Sequence, residues 1–234
     1  MQLSNWRWSW RAMMVTGIVT PLMTVAALGA FAKGRGQDSL VYVLTGSILL
    51  SLMFENQNKV AQNFAYMKTM GTLDFLGTLP VRRYMVIMAT VLAFFALSAP
   101  ALISTLVFGA LILGVNLSVS WLVLLVIPLC VLSLAGIGAV IGIVTRTQEE
   151  SSSLTLLVTM ILVFFGPVII PANRLPGWLL AASHLSPTTY AASALRQVLV
   201  GPVTGRIWID LLVLLALTGI TLWFAGSRMQ WKAN

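Results

Sequence analysis

Charge is what this sequence has least of. Only 9% of its 234 residues are Asp, Glu, Lys or Arg, against about 25% in soluble domains. A chain so poor in charge cannot cover a wet surface, and its exterior must face something apolar. Cysteine is nearly absent as well. The single thiol, Cys130 beside Pro128 in an apolar run, excludes an internal disulfide and a Cys-based zinc cluster and reads as packing. There is one histidine, His184, between Ser183 and Ser186. No carboxylate lies near in sequence to orient it, so the cluster reads as polar residues at a membrane interface rather than as a hydrolytic triad. None of the four lysines follows a glycine. The GxxxxGK[ST] turn that cradles nucleotide phosphates is therefore missing, and the chain is not itself an ATPase. The Asn116-Leu117-Ser118 sequon is taken as unused in a bacterial protein.

The apolar material forms long runs: hydrophobic residues make up 59% of the chain. Six runs approach the roughly 20 residues that a membrane-crossing helix needs: Ala12–Ala32, Ser39–Phe54, Tyr84–Leu113, Val119–Val144, Ser153–Ile170 and Ile207–Ala225. The second is short, but its helix can continue past Glu55 along Val60, Ala61 and Phe64. The third is long enough to tilt and carries Pro100, a candidate kink. Backbone in hydrocarbon must satisfy its own hydrogen bonds, so helices are expected, and the alternating strand patterns of outer-membrane barrels are absent. The expected fold class is all-α: an integral membrane bundle of six transmembrane helices, a single transmembrane domain over residues 1–234. The first run is as long as a span and lacks a small-residue cleavage site, so it is expected to be a retained helix rather than a signal peptide.

The centres of all six runs contain no Asp, Glu, Lys, Arg or His; Glu55, Glu149, Glu150 and Asp210 fall at their ends. Proton- and ion-coupled transporters carry ionisable groups inside their spans, so a proton relay has no parts here. Any transport energy must come from a partner.

The net charge of +8 does not point to nucleic acid, because the basic residues are scattered among span ends rather than gathered on one soluble face. Their distribution orients the chain instead. Nine lie at the termini and in even-numbered loops (Arg7, Arg11, Lys59, Lys68, Arg82, Arg83, Arg146, Arg228 and Lys232), and five on the other side (Lys33, Arg35, Arg174, Arg196 and Arg206). The bias puts both termini in the cytoplasm of a bacterial plasma membrane. Trp6, Trp8, Trp10, Trp121, Trp208 and Trp223 lie near span ends, where indoles anchor at headgroups.

Two segments carry the rest of the signal. Between the second and third spans, Leu73, Leu76 and Leu79, with Phe75 nearby, recur at helical spacing; Thr72 is placed to cap the turn and Pro80 to stop it. This predicts a short amphipathic helix over Gly71–Pro80, followed by the basic pair Arg82-Arg83. Periodicity alone does not separate a partner-binding helix from one that lies on headgroups. On the other side, Gly166–Gly205 is apolar but broken by Pro167, Pro171, Pro176, Pro187 and Pro202. Such pieces suit re-entrant half-helices, or an interfacial loop with snorkelling arginines.

Together these segments resemble a known family. The stretch Gly71-Thr72-Leu73-Asp74-Phe75-Leu76-Gly77-Thr78-Leu79-Pro80-Val81-Arg82-Arg83 is similar to the "GTLE-x-L-x-x-TPV-x-R" loop of ABC-2 type permeases, the membrane subunits of exporters such as daunorubicin-resistance and nodulation-factor permeases. Leu175-Pro176-Gly177-Trp178, Leu185-Ser186-Pro187-Thr188-Thr189-Tyr190, Ala194-Leu195-Arg196 and Gly201 resemble their "LP-x-W … NP-x-x-Y … A-x-R … G" pattern. Asp74 replaces the usual Glu and Ser186 the usual Asn.

The resemblance implies a coupling helix built on Gly71, Thr72, Leu73, Asp74, Phe75, Leu76, Thr78, Pro80 and Arg82, seated in a groove of a separate ATP-binding subunit. That partner carries the ATP and Mg; this chain is expected to bind no cofactor and no metal. The resemblance also implies a second permease subunit, a surface helix over Trp6–Arg11, and an outer re-entrant motif of Pro176, Trp178, Pro187, Tyr190, Arg196 and Gly201 closing the external end of the path. Path-lining candidates on the first, second and fifth spans are Thr16, Thr20, Thr24, Thr45, Ser47, Ser51, Thr155 and Thr159, all of a kind that also serves close helix packing. Glu149 and Glu150 face the ATPase or cap the fifth span, capping being preferred. An apolar lining suits an amphiphilic, lipid-linked or drug-like substrate. Two alternatives stay open: a haem- or cofactor-maturation permease of related architecture, and a membrane scaffold or assembly factor without an ATPase.

Overall fold

The computed structural model describes residues 18–19, 21–30, 32, 36–168, 176–184 and 186–229. Among them the chain is helical throughout, without a strand. Four helices are long and apolar enough to cross a membrane: Ser39–Thr69, Arg83–Leu113, Val123–Val144 and Arg206–Arg228. The first expected span is represented by Pro21–Ala30 (α1). The fifth is represented by Gln148–Phe165 (α7), 18 residues that begin with six polar ones. Thr16, Thr20 and the Trp6–Arg11 stretch lie outside the described residues.

The second expected span does not stop at Phe54. It runs on as one continuous helix made of α2 (Gln37–Leu52), a six-residue π-helical segment (Met53–Asn58) and α3 (Lys59–Thr69), of which the 31 residues Ser39–Thr69 are apolar enough to cross a membrane. The wide π turn occurs where four polar residues follow one another, Glu55 to Asn58, and it sends two consecutive carboxamides inward in different directions. Asn56 Nδ2 donates to Ser98 Oγ (3.2 Å) on α5 (Arg83–Leu113), and Gln57 Nε2 donates to Thr159 Oγ1 (3.2 Å) on α7. Both are fully buried, and pairing is what makes that tolerable, since an unpaired buried amide costs about 1–3 kcal/mol. Glu55 and Lys59 form an ion pair one turn apart.

Helix α6 (Val123–Val144) is the centre of the bundle, touching α3, α5, α7, α9 (Pro187–Leu199) and α10 (Arg206–Arg228). It reaches that position through glycine. A Cβ at Gly138 would overlap the Gln57 carbonyl, one at Gly142 the Ala61 carbonyl, and one at Gly136 the Thr221 hydroxyl. The backbones therefore meet directly, the small-xxx-small packing that replaces a hydrophobic driving force in lipid. Pro100 and Pro128 sit inside α5 and α6. The fourth span begins at Val123 rather than Val119, because residues 115–120 run extended and bond to the end of α9 (Pro187–Leu199). Ser118 N donates to Leu199 O (2.9 Å), Ser120 N to Val198 O (2.8 Å) and Ser118 Oγ to Val200 O (3.0 Å).

Contacts order the ends of the bundle. Gln62 meets Ser152 near the start of α7 and Gln57 meets Thr159 further along it, so α3 and α7 run antiparallel. The α3–α5 connection thus lies at the end where α7 begins, and α9 lies where α7 finishes.

Candidate functional site: two assemblies at opposite ends of the bundle

The first assembly is the turn between α3 and α5. Tyr66 O and Lys68 O accept from Met70 N and Gly71 N, and Gly71 takes φ 67°, left-handed backbone that ends α3 and reverses the chain. A two-turn helix, α4 (Thr72–Gly77), follows. It is shorter than the expected Gly71–Pro80. Thr72 does not cap it: Gly71 is the N-cap and no side chain bonds there. Nor does Pro80 stop it, since the helix has ended at Gly77, where Thr78 Oγ1 donates back to Phe75 O (2.7 Å).

The platform beneath α4 is fixed by Lys68, whose ammonium donates to Ile143 O (3.0 Å) and Thr145 O (2.9 Å) at the carboxyl end of α6, where a cation is favoured. The three leucines do not share one outward face. Leu73 is 5% exposed and packs with Val60, Phe64, Met67 and Ile143; Leu76 lies half-buried against the same cluster. Phe75 is 64% and Leu79 41% exposed. Asp74, Thr78, Pro80 and Arg82 are exposed as well. The turn is therefore anchored by Leu73 and presents Phe75 and Leu79.

Beside it, α7 starts with Thr147 accepting from Glu150 N (3.1 Å) while Glu150 Oε2 accepts from Arg146 N (2.8 Å). Glu150 thus serves the helix start as preferred; Glu149 is exposed in the same turn.

The second assembly is the outer motif, seated around α8 (Gly177–Ser183) and α9. Its hydroxyls close the carboxyl end of α7: Thr188 Oγ1 donates to Leu162 O (2.8 Å) and shares a hydrogen bond with Ser186 Oγ (2.7 Å). Thr189 Oγ1 donates to Ser183 O (2.6 Å), and Tyr190 OH to His184 O (2.8 Å). Pro187 is the first residue of α9, where its missing N–H is harmless. Pro176 caps α8, Trp178 is exposed, and Gly201 N donates to Arg196 O (2.9 Å) as α9 ends.

Arg196 is not a snorkelling surface cation. Its Nε donates to Thr45 Oγ1 (3.1 Å) on α2, and its Nη2 donates to Pro167 O (2.7 Å) and Val168 O (2.9 Å) beyond α7. The guanidinium also lies over the Tyr42 ring. One side chain thus ties α9, α2 and the end of α7. The next residue, Gln197, joins α9 to α10 (Arg206–Arg228) by donating to Asp210 Oδ2 (3.0 Å) and accepting from Thr204 Oγ1 (2.7 Å).

Among the hydroxyl residues expected along a path, Thr45, Ser47 and Ser51 are buried on α2, and Thr155 and Thr159 are buried on α7, at most 6% exposed in each case. Thr24 is half-buried on α1. In this conformation α3 covers the α7 row, with Gln57 bonded to Thr159. The row extends to Ser151, one turn before Thr155, whose Oγ is buried without a partner. Among the described residues no group of His, Cys, Asp and Glu is arranged to hold a metal ion.

Sequence reading missed the interior carboxamides Asn56 and Gln57 and the glycine row of α6. The signals were present as an unbroken polar run, Glu55 to Lys59, after the apolar stretch of the second span, and as Gly138-x-x-x-Gly142 within an apolar 22-mer.

A helical membrane bundle with a braced turn exposing apolar side chains at one end and a hydroxyl-capped pair of short helices at the other fits the membrane subunit of a transporter. The comparison of sequences is more specific. Residues 2–200 match the ABC-2 type transporter family, and the chain belongs to it. It is also 26% identical to the daunorubicin resistance ABC transporter permease protein of Streptomyces coeruleorubidus, over 96% of this chain and 84% of that protein.

Proposed function

We propose that this chain is the permease subunit of an ATP-driven exporter that moves an amphiphilic, lipid-linked or drug-like substrate out of a bacterial cytoplasm. Six membrane segments, the four long spans with α1 and α7, would leave both termini on one side, and the bias of Lys and Arg supports the cytoplasmic one. Helix α4 is the coupling helix that sits in a separate ATP-binding subunit, which carries ATP and Mg. A second permease subunit completes the path, which opens along the hydroxyl row of α2 and α7, and the outer motif closes its external end. The family membership and the drug-resistance relative support an exporter.

The observation that carries the coupling reading is the division within α4. Leu73 is spent on the protein's own core, while Phe75, on the same two turns, stands 64% exposed on a platform held by Lys68. An apolar anchor on a rigid two-turn helix suits a groove on a partner; a helix resting on headgroups has no need for the bracing. The test is co-purification of the ATP-binding subunit encoded with this chain, followed by its ATPase activity. Phe75→Asp is expected to insert normally and to lose the partner. Wild type without an associated ATPase, or Phe75→Asp binding as well as wild type, would overturn the assignment.

A further inference from the structure

The geometry points to a binding site for the headgroup of an anionic phospholipid in the groove between the start of α5 and the end of α10. This groove, about 1010 Å³ in volume, borders the α4–α5 connection. Its walls come from Leu79 to Tyr84 on one side and from Leu222, Trp223, Gly226 and Ser227 on the other. It adjoins the first assembly, taking Gly77, Leu79, Pro80 and Arg82 from the α4–α5 connection, but none of Leu73, Asp74, Phe75 and Leu76 lines it.

Three observations select the ligand. First, the charge has one sign. Arg82 and Arg83 both line the groove and are exposed, no Asp or Glu lines it, and neither arginine forms an ion pair among the described residues. A third cation, Arg228, stacks on Phe224 (5.4 Å to the ring centroid) at the end of α10. Secondly, the groove joins charged to apolar surface. The two arginines share the lining with Tyr84, Leu222 and Trp223, and Gly226 lies against the Tyr84 ring (a Cβ there would be 3.5 Å away). Trp223 is 72% and Tyr84 58% exposed, aromatic surface that water does not favour and that a membrane interface does. Thirdly, depth is set by the helices. Helix α5 begins at Arg83 and α10 ends at Arg228, so the groove sits where two spans leave the hydrocarbon, at headgroup level.

A soluble anion would use the arginines and leave the aromatic wall wet, and a neutral lipid would use the wall and leave two cations without a counter-charge. An anionic phospholipid satisfies both, with its phosphate on the guanidiniums, which bind phosphate oxygens in a bidentate manner, and an acyl chain along Leu222 and Trp223. Basic pockets between spans commonly hold such headgroups.

The inference rests on α5 and α10 crossing a bilayer, and the test separates the two. The whole chain is reconstituted in phosphatidylcholine vesicles containing a minor fraction of either brominated phosphatidylglycerol or brominated phosphatidylcholine, and tryptophan fluorescence is read against Trp223→Phe to isolate the Trp223 signal. The expected result is that Trp223 is quenched about fivefold more effectively by the brominated phosphatidylglycerol. In Arg82→Gln/Arg83→Gln the two lipids are expected to quench Trp223 equally, with unchanged quenching of the other tryptophans showing normal insertion. Ser227→Phe, which fills the groove from an exposed position and keeps both cations, is expected to abolish the preference too. Equal quenching in the wild type, a preference that survives in either variant, or loss of the preference on adding inorganic phosphate would overturn the lipid site. Absence of quenching by either lipid would overturn the membrane reading itself.

Discussion

The guanidinium of Arg196 lies over the aromatic ring of Tyr42, Cζ to centroid 3.8 Å, and this pair joins the outer motif to the second span. The stacking comes with three hydrogen bonds, to Thr45, Pro167 and Val168, so the cation is neutralised by oxygens and a π face rather than by a carboxylate. Charge-assisted bonds contribute about 1.5–3 kcal/mol each, and a desolvated cation–π pair about 2 kcal/mol. Arg196→Gln is therefore expected to destabilise the protein by about 3 kcal/mol, which lowers the apparent Tm of a chain this size by roughly 6–12 °C. Arg196→Lys should recover less than half of that, because an ammonium lacks the planar fork that reaches two carbonyls and a ring at once. Tyr42→Leu should cost only a few degrees. Thermal unfolding of the detergent-purified variants checks the order; an Arg196→Gln protein as stable as wild type would make Arg196 a surface residue after all.

The α6 glycines make a prediction with a built-in control. Gly142→Leu and Gly138→Leu push a side chain into the carbonyls of Ala61 and Gln57, which are helix backbone and cannot step aside. Both are expected to abolish a monodisperse peak in size-exclusion chromatography. Gly219 has nothing within 4 Å of its Cβ position, and Gly219→Ala should leave the peak intact and raise stability by about 0.5–1 kcal/mol, the usual gain from removing a helical glycine. A Gly142→Leu protein that purifies like wild type would contradict the close α3–α6 approach.

Length and hydropathy are properties of single segments, and the features they govern were legible before folding. The four long spans lie where the apolar runs lie, and the helix beyond Glu55 follows the continued pattern through Phe64. What was not legible depends on which surface a segment meets. Leu73, Leu76 and Leu79 share one helical spacing, and only the cluster that holds Phe64 and Ile143 decides that Leu73 turns inward while Leu79 stays exposed. Arg196 likewise reads as a snorkelling cation until Thr45, 151 residues earlier, is brought to 3.1 Å. Thr72 and Pro80 fit their expected capping and stopping roles by spacing, but the left-handed Gly71 and the Thr78 back-bond start and end the helix first.

Gln57 and Thr159 invite a double-mutant cycle. Thr159→Val removes the acceptor of Gln57 Nε2 while Gln57 Oε1 already lacks a partner, so the single substitution should cost about 1–3 kcal/mol for a stranded buried amide. Gln57→Leu alone strands only a hydroxyl and should cost less. In Gln57→Leu/Thr159→Val both polar groups are gone, and the loss should fall below the sum of the singles, with a coupling energy near 1 kcal/mol. Strictly additive losses would show that the bond contributes nothing. The double variant also tests the path: if stability returns while substrate export by the full complex stays impaired, the hydroxyl row serves transport beyond packing.

The two faces of α4 separate folding from coupling. Leu73 at 5% exposure packs on Val60, Phe64 and Met67, and Leu73→Asp forces an unpaired carboxylate into that cluster or expels the helix from it. Because burying an unpaired charge is far costlier than losing a contact, this variant should lose monodispersity before any partner is added. Phe75 at 64% exposure has no comparable internal role. Phe75→Asp should keep the elution profile and the Tm within about 0.5 kcal/mol of wild type, as surface changes usually do, while losing the ATP-binding subunit. Phe75→Leu, which keeps an apolar anchor, should retain most of it. The contrast is the informative part. If Leu73→Asp alone abolishes the complex and Phe75→Asp does not, the ATPase contacts this end of the bundle somewhere other than on α4, and the loss seen with Leu73→Asp reflects misfolding.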